Sequence, residues 1–190
     1  MLNQFTALAA LAVWSAKLEA QIGLTSATAA VALSATKAAS VSVSLPGGNS
    51  ATLPGTLVTG PNDFTPISVS TAWDVEPDRT GSVALVAFFD QPTHALVGPA
   101  AVIPSAAVYG RVPTGGPKSF ASFTGGPVVT GPVAAGSAGG TLVLFTQQIS
   151  GTNALGGRSD DLQMRIDLTD SPELPAAQYA GTLNLLVITQ

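Results

Sequence analysis

The chain has 190 residues, 46% of them apolar, with only 7 basic and 11 acidic side chains and a net charge of -4. That is a deep charge deficit beside the quarter of residues ionised in an ordinary domain, and it leaves no positive field to attract nucleic acid. Zero Cys excludes disulfides, thiolate zinc sites and cysteine nucleophiles, while 20 Gly and 14 Pro argue against a helical bundle and for short strands joined by turns.

In chain order, Phe5 to Ala16 forms an apolar stretch that ends in Lys17-Leu18-Glu19-Ala20. This length suits the core of a secretory leader and is too short to span a bilayer, so residues 1–20 are read as a signal peptide, with cleavage after Ala20. The leader is the one helix the sequence predicts, although Met1-Leu2-Asn3-Gln4 lacks the usual basic residue. Next, Gln21 to Leu33 places Ile22, Leu24, Ala27, Ala29, Val31 and Leu33 in an alternation that changes phase between Leu24 and Ala27. The favoured reading is the first strand of its own domain, because sequential strands usually pair locally. The other is a subunit contact, in which this strand adds to a neighbour's sheet edge.

From here to the end a period of two recurs, as strands with one buried face require. Val41-Ser42-Val43-Ser44-Leu45 stops at Pro46-Gly47-Gly48; Ile67, Val69, Thr71, Trp73 and Val75 repeat the pattern; Val83 to Phe89 is apolar on both faces and predicts a central strand. Ala106 to Val112 and Lys118 to Thr124 read as a hairpin whose loop needs glycine at positive φ. Leu142, Leu144 and Thr146 alternate with Val143 and Phe145, and Leu162, Met164, Ile166 and Leu168 form a stripe. Tyr179 to Thr189 is expected to be the longest strand. Residues 46–65 and 125–140 read as exposed loops or loosely paired edges. Together these predict an all-β chain, with residues 21–190 forming a single antiparallel β-sandwich, immunoglobulin-like or pilin-like. Trp73, Phe89, Leu144 and Ile166 are expected in its core.

Chemistry is sparse. His94 is the one histidine, in a turn-like stretch, and neither Gly-x-Ser-x-Gly nor a phosphate loop occurs, so the sequence predicts no enzyme, no catalytic residue and no cofactor. Asp74, Glu76, Asp78 and Asp90 are the only metal candidates. Their oxygens suit Ca²⁺, but without EF-hand spacing a solvated turn with Arg79 neutralising one carboxylate is preferred. Arg158-Ser159-Asp160-Asp161, after Gly156-Gly157, reads as another turn. For sugar stacking, Trp73 is better placed as core, which leaves Tyr109, Phe120 and Phe123 around the Pro113 to Pro117 loop.

Leu174-Pro175-Ala176-Ala177-Gln178-Tyr179-Ala180-Gly181-Thr182-Leu183-Asn184-Leu185 resembles the final strand of bacterial fimbrial and spore-coat-like β-sandwich domains, with Ala177 where Gly is usual. That resemblance implies a secreted structural subunit or adhesin and no catalytic residue. The charge-free runs Val41 to Asn62 and Ser119 to Gly157 agree, since such faces pack on copies of themselves without burying unpaired charge. The expected function is therefore an extracellular structural subunit of a bacterial surface filament, pilus or coat, a homopolymer without nucleic acid or a stable membrane span. The alternative is a monomeric secreted carbohydrate-binding or adhesive module that meets surface glycans.

Overall fold

The computed structural model describes residues 34, 37–76, 80–114, 116, 119–130, 133–171 and 173–190. Contacts divide the chain after Thr36, and the unit Lys37–Gln190 carries the described strands. These are β1 (Ser40–Ser44), β2 (Pro61–Asp63), β3 (Ile67–Asp74), β4 (Gly81–Phe88), β5 (Leu96–Val97), β6 (Val102–Ile103) and β7 (Val108–Arg111). Beyond them lie β8 (Ala121–Ser122), β9 (Val128–Thr130), β10 (Val133–Ala135), β11 (Thr141–Ile149), β12 (Leu155–Asp167) and β13 (Asn184–Thr189). Helical structure among the described residues is limited to two 3-10 turns, Pro92–His94 and Ser105–Ala107. No helix there is long and apolar enough to cross a membrane.

All pairings are antiparallel. The large sheet runs β1-β3-β12-β7-β8, with β2 also on β12, and the small sheet runs β11-β4-β13. The inner faces of the two sheets share one apolar core that includes Val69, Leu85, Phe123, Leu144, Leu162 and Ile166. This is the β-sandwich expected from the period of two. The leader helix and the strand proposed over residues 21–33 lie outside the described residues.

Strand β4 is buried on both sides, as its unbroken apolar run predicts. Val83, Leu85 and Ala87 face the main core. Ala84 and Val86 face the opposite way, against Ala135 and Ile188 with Val128 packed alongside. Ala135 and Val128 belong to the β9–β10 ribbon, so part of the segment read as an exposed loop covers the outer face of the small sheet. Residues 46–65 are mostly loop, held by Asn62: its Nδ2 donates to Val58 O at 2.8 Å and to Gly60 O at 2.7 Å, while Val58 N donates back to Oδ1.

Three expectations need correction. Strand β12, at thirteen residues, is longer than β13, at six. Residues Tyr179 to Leu183 leave the small sheet because Ala180 pairs with Val97 of β5 instead. On β11 the register against β4 shifts between Val143 and Phe145, leaving Leu144 without its own partner. This bulge turns Leu144 and Phe145 both inward and puts Thr146 outside, reversing the phase beyond it. Of the two glycines in the hairpin loop, Gly115 lies outside the described residues and Gly116 does not adopt positive φ. Glycine is needed there because an added Cβ would lie 2.2 Å from Leu144 O.

Candidate functional site

The inward stripe of β12 changes chemistry along its length. Leu162, Met164 and Ile166 are buried in the core, but towards the strand's start the inward positions become Asp160, Arg158 and Gly156. Arg158-Ser159-Asp160-Asp161 is therefore strand, not the turn expected, because residues 155–162 pair fully with β3. Arg158 Nε donates to Asp160 Oδ2 at 2.6 Å and Nη2 donates to Oδ1 at 2.5 Å, a bidentate pair. Nη2 also donates to Thr114 O, and the guanidinium carbon sits 4.1 Å from the Phe145 ring centroid. The Asp160 side chain is 2% exposed and that of Arg158 is 17% exposed.

Around this pair the sheets part into a cleft of about 390 Å³ lined by Trp73, Thr114, Gln147, Asn153, Gly156 and Arg158, among others. Trp73 is 6% exposed, as its place in the β3 alternation predicts, and its Nε1 donates to Asn153 O at 2.9 Å. Opposite it in register lies Gly156, where a Cβ would come within 2.7 Å of the indole. Glycine is thus what lets the indole lie across β12. The pair also has a structural task. Among the described residues β12 pairs with β7 only over Gln163–Ile166 and no strand pairs with the same side of residues 155–162, where inward charge discourages unwanted strand pairing.

A second cluster occupies the outer face of the large sheet. The guanidinium carbons of Arg111 and Arg165 stand 4.5 and 4.2 Å from the centroid of Phe120. Arg165 Nε and Nη2 donate to Asp63 Oδ1 and Oδ2 at 2.6 and 3.1 Å, and Arg111 Nε donates to Gln163 Oε1 at 2.7 Å. Of the three aromatics considered for sugar stacking, Tyr109 and Phe120 are half-buried, whereas Phe123 is fully buried and meets Phe89 edge-on at 5.2 Å.

The hydrogen bond from Arg165 holds the Asp63 carboxyl below its ordinary pKa, against a smaller opposing effect of burial. A depressed carboxyl stabilises the fold above its unfolded pKa, about 4, and that contribution disappears as pH falls through the lower folded value. Because the Asp63 side chain is 60% exposed, solvent screening limits the pair to less than about 1 kcal/mol. Asp63→Asn should therefore cost a few tenths of a kcal/mol in urea unfolding at neutral pH, with the difference vanishing as pH falls through the lowered folded value.

The other residues singled out in the sequence do not converge. Asp74 is ion-paired with Lys37, Glu76 is exposed, and Asp78 and Arg79 lie outside the described residues. Val75 and Gly81 line the same crevice, so β4 starts near the end of β3. Asp90 follows the far end of β4, roughly 25 Å away along an eight-residue strand, and does not join Asp74. Among the described residues no three His, Cys, Asp or Glu side chains gather as metal ligands. His94 is exposed, its Nδ1 2.7 Å from Thr93 Oγ1. Ile22, Leu24, Ala27, Ala29, Val31 and Leu33 lie outside the described residues.

No family model, curated protein or solved structure matches the chain. Among the described residues the two main sheets end in four edge strands, β1 and β8 on one and β11 and β13 on the other. Strands β1 and β13 end their respective sheets and lie beside each other. Among the described residues neither has a strand partner on its outer side, and neither carries a charge or a proline.

Proposed function

We propose that the chain is a structural subunit of a bacterial surface filament, pilus or coat. In this reading residues 1–20 direct export, and residues 21–190 form a secreted sandwich of pilin-like or immunoglobulin-like type. The observation that carries the proposal is that, among the described residues, the uncharged strand β13 ends a three-stranded sheet with no strand hydrogen-bonded to its outer side. Such an edge offers unpaired main-chain N–H and C=O groups, and soluble monomers normally blunt it with Lys, Pro or a covering loop. A neighbour's strand would close the hazard and build the polymer in one step, with main-chain bonds providing affinity. Residues 21–33, with their alternating Ile22, Leu24, Ala27, Ala29, Val31 and Leu33, are the segment assigned to this role. No catalytic role and no cofactor enter the reading.

Leu186 tests it. This side chain is 37% exposed and lies opposite Val86 of β4, so a Lys there puts charge at the edge without entering the main core. The full chain should form high-mass assemblies by light scattering and electron microscopy. Leu186→Lys should give folded monomers with an unchanged far-UV circular dichroism spectrum. Deletion of residues 21–30 should also abolish assembly, and a synthetic peptide of residues 21–33 should bind the shortened chain. A full chain that stays monomeric at high concentration sinks the subunit reading, and normal filaments from the deleted protein remove residues 21–30 as connector.

A further inference from the structure

The cleft beside Arg158 and Asp160 is chemically unlike the rest of the sandwich interior. A buried ion pair is costly: well-packed apolar residues in its place are often neutral or stabilising. Guarding this stretch of β12 requires charge there, but it does not require an open cleft with the Gln147 amide and the Trp73 indole in its lining. The volume of about 390 Å³ falls in the range of small-ligand sites, and Trp73, Gln147, Asn153 and Arg158 converge on it from β3, β11, β12 and the turn that joins the last two.

We propose that this cleft binds a neutral saccharide. The class is set by which polar atoms remain available. Asp160 takes up two N–H groups of Arg158, so the charges cancel and the site presents no net attraction for an anion. Among the described residues Arg158 Nη1 donates to no protein acceptor, so two of its N–H groups point elsewhere than Asp160. Gln147 uses Nε2 on Gln148 O while its Oε1 accepts nothing from the described residues. Donors and acceptors are thus set side by side. A vicinal diol matches this arrangement because each hydroxyl both donates and accepts: one can donate to Gln147 Oε1 while its neighbour accepts from Arg158 Nη1. Trp73, 6% exposed, closes the inner end of the cleft, and Phe145, stacked on the guanidinium, holds the donor plane in place. An apolar ligand would leave these groups unpaired, and a phosphate or sulfate would have to displace Asp160.

The site opens beside β11, on the opposite side of the small sheet from the edge of β13, so it stands independently of the assembly proposal. The test uses the full chain with Trp14 replaced by Phe, which leaves Trp73 as the sole indole reporter. The probes are methyl glucosides, galactosides and mannosides, their neutral disaccharides, and glucose 6-phosphate and sialyllactose as anionic counterparts. At least one neutral sugar should shift Trp73 emission saturably, with a Kd of about 1 mM or tighter. Gln147→Ala should weaken that binding by about ten-fold, the loss of one good hydrogen bond. Arg158→Leu combined with Asp160→Leu should abolish it while the circular dichroism spectrum is retained. Gln147→Ala keeps the test decisive if the double variant does not fold, because that side chain is only half-buried and uncharged. The proposal is overturned if no neutral sugar gives a saturable shift, if the anionic sugars bind as tightly as the neutral ones, or if binding is unchanged in Gln147→Ala.

Discussion

Phe123→Ala is expected to lower stability by about 3–5 kcal/mol in urea unfolding, the range for removing a buried aromatic ring. Phe123 is fully buried, and its neighbours cannot collapse into the vacated space. On one side stands Phe89, edge-on at 71°. On another lies Gly110 of β7, so close that a Cβ there would sit 3.1 Å from the Phe123 ring. Backbone held in a sheet ladder relaxes little, so the cavity persists and its cost adds to the lost transfer energy. Phe120→Ala, only three residues away, serves as the internal comparison. It removes a half-buried ring that carries two guanidinium contacts on the outer face, each worth about 0.5–1 kcal/mol at an exposed site. Equal losses from the two substitutions would show that the faces of β8 and its flanks have been assigned the wrong way round.

Arg158→Ala should cost a comparable amount, about 3–5 kcal/mol, for a different reason. The substitution leaves the Asp160 carboxylate 2% exposed with neither of the N–H groups that now neutralise it. A charge stranded in that position must draw water into the sandwich. Replacing both partners with Leu removes the stranded charge and continues the apolar stripe of Leu162, Met164 and Ile166. That double variant should match the parent or exceed it by about 1–4 kcal/mol. A double-mutant cycle measured by denaturant unfolding therefore separates the two contributions: a large single loss recovered in the double identifies desolvation as the dominant energy. If the single loss is below about 1 kcal/mol, the pair is solvated and behaves as a surface ion pair.

Much of the architecture is legible in the order of the residues. A period of two over Ile67 to Val75 and Leu162 to Leu168 identifies strands and their buried faces together, because alternate side chains must leave a pleated strand on opposite sides. The run Val83 to Phe89 is likewise enough to place a central strand, since only a strand covered on both faces can be apolar at every position. Of the candidate site, the residues are visible but their arrangement is not. Arg158 to Asp161 has the polarity of a turn, and its neighbours Gly156 and Gly157 reinforce that reading. What makes it strand is pairing with β3, some ninety residues earlier, and the cross-strand indole of Trp73 that covers Gly156.

The chain by itself determined its class, its strand-rich pattern and most of its core, because these depend on local composition and on the parity of apolar positions. Tertiary structure decided whatever depends on a partner distant in sequence. The bulge at Leu144 is one such case: inserting one residue against β4 reverses the phase of β11, so Phe145 turns inward and Thr146 outward. The fate of Tyr179 to Leu183 is another, since a stretch with strand character joins whichever edge lies within reach, here Val97 of β5. So is the inward placement of Arg158 and Asp160: alternation says that every second residue shares a face, but only the packing of one sheet on another says that this face is the interior.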